Sequence, residues 1–422
     1  MSIANSLPQL VLQCLFSYII PLNARHIADW KAGLALIAVC RSWRSEAECQ
    51  VYGTAHIKRP DGAYMAETGN RSTELVTNFN LILANRRLPT VRRLAIDLNG
   101  FEAIPDFERQ LQRVHVADVR TVPFPIPLIP ARSISRLRLT DLPLDATWQK
   151  YFYGFDKTTL AFPKLQKLHL LFSKDLVSSR FAASHLDSAQ VLFPALTSLE
   201  ILDSPCADVL FQNANVSPNL SQLTVRSSIS TICGLRRAGI MSVDNLSITI
   251  YQHESVDAKT LADTLNYFYG DVRSRVSLLN LHTHAFDLDA YEIRWSHLCF
   301  LSIRTPIAFS TVVRLIPCMP MLRNFVLPPM VFDQDADDLL SSDFDNTKLV
   351  LPLPLSQNIR IMFFAGAMDE SDARPFKAIR YLVLRCPKLE KVCPYIGAYR
   401  ELTSLLDDVL RPQGHFTNIE IL

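Results

Sequence analysis

Glycine is scarce in this chain, 12 of 422 residues, against an average usage of roughly 7%. Phosphate-cradling loops depend on glycine, because only a residue without a Cβ lets backbone amides close around a phosphate. Neither the GxGxxG nor the Walker spacing occurs, and GxSxG and HExxH are missing as well. No two cysteines form a CxxC pair. The nine cysteines are an odd number, which suits a reducing compartment better than a disulfide framework. Cys386 and Cys393 stand too far apart in sequence for a CxxC metal site.

Charge of one sign is lacking too. Lys and Arg total 43 against 41 Asp and Glu, a formal net of +2, which argues against a nucleic-acid groove or a polybasic membrane patch. No stretch reaches the ~20 apolar residues of a membrane span. The apolar run from Leu7 to Leu22 has no Lys or Arg before it. Pro8 and Pro21 bracket it, and Gln9, Gln13 and Ser17 interrupt it. It reads as a helix of the fold rather than a targeting segment. Sequons at Asn70, Asn215, Asn219 and Asn245 carry no weight without a secretory signal. These features point to the cytoplasm and/or nucleus, with no membrane and no nucleic acid as partner. At 49% hydrophobic and 20% charged the chain is globular, long enough for two or three domains or one repeat array.

Proline is well represented, with 25 residues, and its placement is regular. A pattern of apolar, two residues, apolar, one residue, apolar recurs, often with a proline two residues before its first position. About one such proline-led match is expected by chance. The sequence carries Pro89-Val91-Leu94-Ile96, Pro163-Leu165-Leu168-Leu170, Pro194-Leu196-Leu199-Ile201, Pro218-Leu220-Leu223-Val225 and Pro320-Leu322-Phe325-Leu327. Pro387-Leu389-Val392 begins another and fails at Pro394. Between them lie Ile134-Leu137-Leu139, Val243-Leu246-Ile248, Val276-Leu279-Leu281 and Leu298-Leu301-Ile303. Spacing between first positions runs from 22 residues (Val276 to Leu298) to 43 (Val91 to Ile134). The gaps hold helical patterns: Leu75, Val76, Phe79, Ile82 and Leu83 after Ser72; Leu261, Leu265 and Phe268; Val312, Val313, Leu315 and Ile316.

A turn, a short alternating strand and a helix or loop cannot bury an apolar face alone, but stacked copies can. Over roughly residues 75–400 the pattern resembles leucine-rich repeats. That resemblance implies an α/β solenoid of short parallel strands with outer helices and loops. An ordinary α/β domain with short buried strands is the competing expectation. Glu401 to Leu410 reads as a closing helix and Phe416 to Leu422 as a last strand, together a C-terminal cap.

Residues 7–52 follow a different rule. Val11, Leu12, Leu15, Phe16 and Ile19 form a helical stripe ended by Pro21, and Leu10, Cys14 and Tyr18 widen it. Trp30, Leu34, Ile37 and Ala38 mark a second helix. Ala47 and Val51 continue the face of Trp43 on a third. A helix apolar nearly all round has to be covered on both sides, and about 45 residues supply too little mass to do it. The Leu7-Pro8 opening, the aliphatic helix, Val39-Cys40-Arg41-Ser42-Trp43-Arg44 and the closing aromatic Tyr52 resemble the F-box. The resemblance implies a small three-helix F-box-like domain over residues 1–58, ahead of an irregular leucine-rich-repeat solenoid over 59–422. It further implies docking on a Skp-type adaptor, and through it a cullin, by Leu7, Pro8, Leu10, Val11, Leu12, Val39, Cys40 and Trp43. The repeats would then bind the ligase's target. The alternative is a repeat scaffold for which the helical head is only a cap.

Candidate chemistry is thin. His282 and His284 with Asp287 and Asp289 are the residue types of a metal site, yet they read as a solvated pair. Asp333, Asp335, Asp337 and Asp338 miss the calcium-loop register, since Asp338 takes the glycine position and Phe344 the glutamate position. They read as an acidic surface loop. No catalytic residue, metal or cofactor is assigned. The working surface expected instead is the outward side of the strands. One row there would hold Ala95, Arg138, His169, Glu200, Thr224, Ser247, Asn280, Ser302 and Val326. The next would hold Asp97, Thr140, Leu171, Leu202, Arg226, Thr249, His282 and Arg304. Arg138, His169, Glu200, Arg226, Asn280, His282 and Arg304 are its candidate target-binding residues. Their mixed charge suits protein recognition more than phosphate binding.

Overall fold

The structure is a computed structural model. It describes residues 11–12, 14–16, 35–36, 38–39, 43–44, 47–48, 52, 54–58, 76–77, 91–97, 114–120, 133–142, 162–172, 193–204, 219–227, 232–233, 235–236, 240, 242–251, 258–282, 292–327, 330–341, 354–365, 372–393, 403–404 and 419–421. The chain divides into two compact units, residues 1–202 and 203–422, each mixed α/β or sheet-rich around parallel strands.

In the first unit the strands are β1 (Thr54–Lys58), β2 (Val76–Thr77), β3 (Arg93–Asp97), β4 (Val116–Arg120), β5 (Arg136–Leu142), β6 (Lys167–Phe172) and β7 (Ser198–Ser204). They lie in the order β7-β6-β5-β4-β3-β1-β2. All neighbours are parallel except β1 and β2. In the second unit β8 (Gln222–Ser227), β9 (Ser242–Tyr251), β10 (Arg273–His282), β11 (Phe300–Ile303), β13 (Asn324–Leu327), β15 (Ile361–Phe364), β16 (Lys391–Cys393) and β17 (Glu420–Ile421) pair in that order, all parallel. Helices α1 (Ala258–Asn266), α2 (Phe309–Leu315), α3 (Gln334–Ser341) and α4 (Arg374–Leu384) occupy the connections. The short strands β12 (Ile307–Ala308) and β14 (Met330–Val331) pair with each other. No helix among the described residues is long and apolar enough to cross a membrane.

The proline of the motif has a mechanical role. Leu165 N–H donates to the Phe162 carbonyl (3.2 Å) and Leu196 N–H to the Phe193 carbonyl (3.1 Å). Leu322 likewise closes on Met319 and Leu389 on Cys386, each at 3.0 Å. Pro163, Pro194, Pro320 and Pro387 therefore sit second in a tight turn, where a fixed φ near −65° is already correct. The residue ahead of each proline is buried: Phe162, Phe193, Met319 and Cys386. Trp295 takes this place before a proline-free turn, with Leu298 N–H donating to its carbonyl (3.2 Å). After the turn the backbones ladder together, as where Gln166 N–H meets the Ser135 carbonyl and Thr197 N–H the Gln166 carbonyl, both at 2.8 Å.

Strand alternation then sends one side chain inward and the next outward. The inward Leu137, Leu139, Leu168, Leu170, Leu199 and Ile201 are buried in the first unit. Leu223, Val225, Ile248, Leu279, Leu301, Phe325 and Met362 are buried in the second. Each such side chain contributes about 1.5–3 kcal/mol on leaving water. Two of the expected helices are present: α1, continued by a π-helical turn at Tyr267–Asp271, carries buried Leu261, Leu265 and Phe268, and α2 carries Val312, Val313 and Leu315.

Several expectations are corrected. Val76 belongs to β2, not to a helix; it pairs antiparallel with Lys58 of β1, a role its β-branched side chain favours. Leu75, Phe79, Ile82 and Leu83 lie outside the described residues. Val276 does not open a repeat, since its side chain is 46% exposed whereas Val243, Leu298 and Leu322 are buried. Val276 already lies inside β10, at an outward position three residues before the inward Leu279. Leu279 also pairs with Ile248 rather than with Leu246, so β10 is stepped by two residues. A two-residue step keeps the inside–outside alternation, and so the fold tolerates it. Asp333 introduces helix α3 rather than a loop. Its carboxylate accepts the Ala336 N–H (2.8 Å) and the Ser310 hydroxyl (2.6 Å). Burial opposes the Asp333 charge, but these hydrogen bonds outweigh it and hold the group below its ordinary value. Asp335 and Asp337 in the first turn of α3 complement the helix dipole. Of the closing helix only Thr403 and Ser404 are described, and both are helical; the last strand is Glu420–Ile421.

Candidate binding surface

The outward side of the strands forms rows in which one residue per strand stands beside the next. In the first unit Ala95, Asp118, Arg138, His169 and Glu200 are successive partners, beside a second row of Arg93, Val116, Arg136, Lys167 and Ser198. The expected row of Arg138, His169 and Glu200 is therefore formed. Asp118 joins it through β4, a strand the proline rule passes over because Val114 and Ala117 anchor it without a proline. His169 Nδ1 lies 2.7 Å from Glu200 Oε2. Its other nitrogen, Nε2, is buried with no hydrogen-bond partner. Arg138, Arg136 and Lys167 are exposed.

In the second unit the two-residue step rearranges the expected rows. Arg226, Thr249, Asn280, Ser302, Val326, Phe363 and Cys393 are successive partners. Asn280 thus stands beside Thr249, and its Nδ2 donates to Thr249 Oγ1 (3.3 Å). The neighbouring row holds Thr224, Ser247, Leu278, Phe300, Asn324, Ile361, Lys391 and Glu420. Leu278, Phe300, Val326, Ile361 and Phe363 are half-buried, an apolar band on a face expected to be mixed. Val326 is among the expected residues; Leu278 and Phe300 are not, because the outward position before the second motif residue carries no weight in the motif.

His282 ends β10. Arg304 follows β11, and its N–H donates to the Leu281 carbonyl (2.9 Å), which sets it across from His282. Arg304 and Arg226 are exposed and His282 is half-buried. Burial first, then the charges of Arg304 and Arg226, push the His282 pKa below its ordinary value of 6.5. A corner that disfavours one proton also disfavours a divalent cation at His282. His284, Asp287 and Asp289 lie outside the described residues. Cys386 is a core group, its thiol pushed up to about 12 by burial.

Of the expected adaptor face, Leu7, Pro8, Leu10 and Cys40 lie outside the described residues. Val11 is 44% and Val39 51% exposed, and Leu15, not among the expected residues, is 39% exposed. Leu12 is instead buried with Phe16 and Ala47, while Leu36 and Trp43 pack against them. Trp43 meets Phe16 edge to face, ring centroids 5.3 Å apart. Leu12 and Trp43 therefore hold this part together rather than face outward.

By sequence the chain matches no protein-family model and no curated protein. Among solved structures it is similar to a crystal structure of a protein from Bacteroides fragilis, at 13% identity and a TM-score of 0.27. The match covers 79% of this chain and 72% of the other. A likeness of that depth carries no argument about fold or function.

Proposed function

We propose that the chain is a non-catalytic substrate receptor of a cullin–RING ubiquitin ligase in the cytoplasm and/or nucleus. Its F-box-like head would dock on a Skp-type adaptor, and the open side of a leucine-rich-repeat-like solenoid would hold the target protein. The receptor performs no chemistry; it raises the effective concentration of a bound target near the charged ubiquitin carrier. The observation that carries this reading is in the head. Val11, Leu15 and Val39 are exposed aliphatic side chains around a small buried cluster of Leu12, Phe16 and Ala47. Exposed aliphatic side chains on a small helical unit suit a protein partner. The parallel strands with buried Leu, Ile and Val on one side and mixed side chains on the other support the solenoid part.

The test is a pull-down of the purified chain with its host's Skp-type adaptor, beside a Val11→Asp/Val39→Asp variant. Both positions are exposed, so the variant keeps its fold, which circular dichroism checks. Leu12→Asp is unsuitable, because a charge in the buried cluster unfolds the head. Adaptor binding by the wild type and its loss in the variant uphold the reading. Absence of binding by folded wild type overturns it and leaves a repeat scaffold with a helical cap.

A further inference from the structure

We infer that the corner of the second unit's open face around Arg226, His282 and Arg304 binds an acidic, apolar-containing peptide segment of a partner protein. The inference rests on the reading that the open strand face receives a protein, and it specifies that protein's chemistry.

Three observations carry it. First, register brings the groups together. Arg226, Thr249 and Asn280 are successive neighbours in one row, and His282 and Arg304 stand one step beyond at the carboxyl ends of β10 and β11. Neighbouring strands are about 4.8 Å apart, so a short extended segment spans the corner. Second, the corner concentrates one sign of charge. Elsewhere in this unit Lys391 meets Glu420, Arg360 meets Glu390, Arg374 meets Asp372 and Arg294 meets Glu292. No carboxylate among the described residues pairs with His282 or Arg304. His282 faces Arg304 on one side and Arg226 on the other, with Tyr251 of β9 as its strand partner. Mutual repulsion of this kind does not help folding, but it favours an anionic partner. Third, Val326 lies further along the row of Asn280, the neighbouring row holds Leu278 and Phe300, and exposed Val276 lies beyond them toward the amino end of β10. A free anion gains nothing from that band. A segment carrying both carboxylates and aliphatic side chains engages both halves of the surface.

The test is fluorescence anisotropy on the full chain with a labelled peptide alternating glutamate and leucine. Controls alternate glutamate with serine, and lysine with leucine. The glutamate–leucine peptide is expected to bind. Arg304→Glu should weaken it at least about tenfold, and so should replacing leucine by serine in the peptide. Lys388→Glu, in the exposed turn before β16, should leave binding unchanged. Glutamate stays ionised above pH ~5 while His282 gains its proton, so affinity should rise as pH falls from about 7.5 to about 5.5. His282→Gln should flatten that rise. Failure of the glutamate–leucine peptide to bind the folded chain overturns the inference. So does equal binding of the lysine–leucine peptide, insensitivity to Arg304→Glu, or displacement of the peptide by single-stranded polyuridylate. The adaptor pull-down reads the head alone. Adaptor capture without peptide binding would sink this inference only, and peptide binding without adaptor capture would sink the ligase reading only.

Discussion

The open faces of the two units are built by the same strand arithmetic and carry opposite chemistry. In the first unit, Arg136, Arg138, Lys167, His169 and Glu200 fill the outward positions of β5, β6 and β7. In the second, Leu278, Phe300, Val326, Ile361 and Phe363 fill the corresponding positions of β10, β11, β13 and β15, and charge gathers at one corner. The inward faces do not differ in kind: both are rows of buried aliphatic or aromatic side chains. Parallel register explains the contrast. Each outward residue touches the same-row residue of the next strand, so a row tolerates charge when opposite signs meet, as His169 and Glu200 do at 2.7 Å. A row of apolar residues partly shields itself, which is why Phe300 and Val326 are only half-exposed. The fold is thus indifferent to what the open face carries.

The largest expected effect tests whether the inner faces are equivalent. Leu170→Ala in the first unit and Leu301→Ala in the second each remove a fully buried side chain from an inner row. Each should cost about 2–5 kcal/mol in urea-induced unfolding. A cost below about 1 kcal/mol at either site would mean that its row is loosely packed and that the units differ inside as well as outside.

A second prediction concerns the turns. Phe162 and Phe193 in the first unit precede prolines, whereas Trp295 in the second precedes Ser296 in a turn closed by the same hydrogen bond. Ser296→Pro should therefore raise stability by about 0.4–1 kcal/mol, through restriction of the unfolded chain. A loss in the same unfolding measurement would show that the Trp295 turn has a different backbone from its proline-led counterparts.

Much of this architecture is legible in the residues. Proline-led motifs mark β6, β7 and β13, and all three of their apolar positions are buried. What fails to register has identifiable causes. β4 rests on Val114 and Ala117, and alanine carries little pattern. β15 rests on Ile359, Met362 and Phe364, which fit the spacing but lack the proline. Val276 fits the spacing by coincidence, because β10 begins before it and the strand turns it outward. Asp333 belongs to a helix start, and the acidic run around it hides the apolar Ala336 and Leu340 that α3 buries. At the candidate site the individual residues Arg226, Asn280, His282 and Arg304 can be read from the sequence. The sequence also groups Arg226, Thr249, His282 and Arg304 in one row, and His282 does stand across from Arg304; that Asn280 rather than His282 shares the row of Arg226 and Thr249 depends on the two-residue step of β10. In the head the sequence marks Leu12 and Val11 alike as apolar, and only packing separates the buried one from the exposed one.

The smallest expected effect separates the two half-buried histidines of the open faces. His169 meets the Glu200 carboxylate, whereas His282 meets Arg304 and Arg226. For His282, burial and then the two guanidinium groups hold the folded pKa below the ordinary 6.5. The unfolded chain therefore binds the proton first as pH falls. His282 costs no stability above its unfolded pKa, and its contribution declines as pH drops through the window between 6.5 and the lowered folded value. His282→Gln should flatten the slope of stability against pH in that window and leave stability at pH above about 7.5 nearly unchanged. Chemical denaturation across the window measures it. A steeper slope in the variant would mean that the folded protein favours the protonated imidazole. The corner would then contain a carboxylate partner, and the charge contrast between the two faces would vanish at that point.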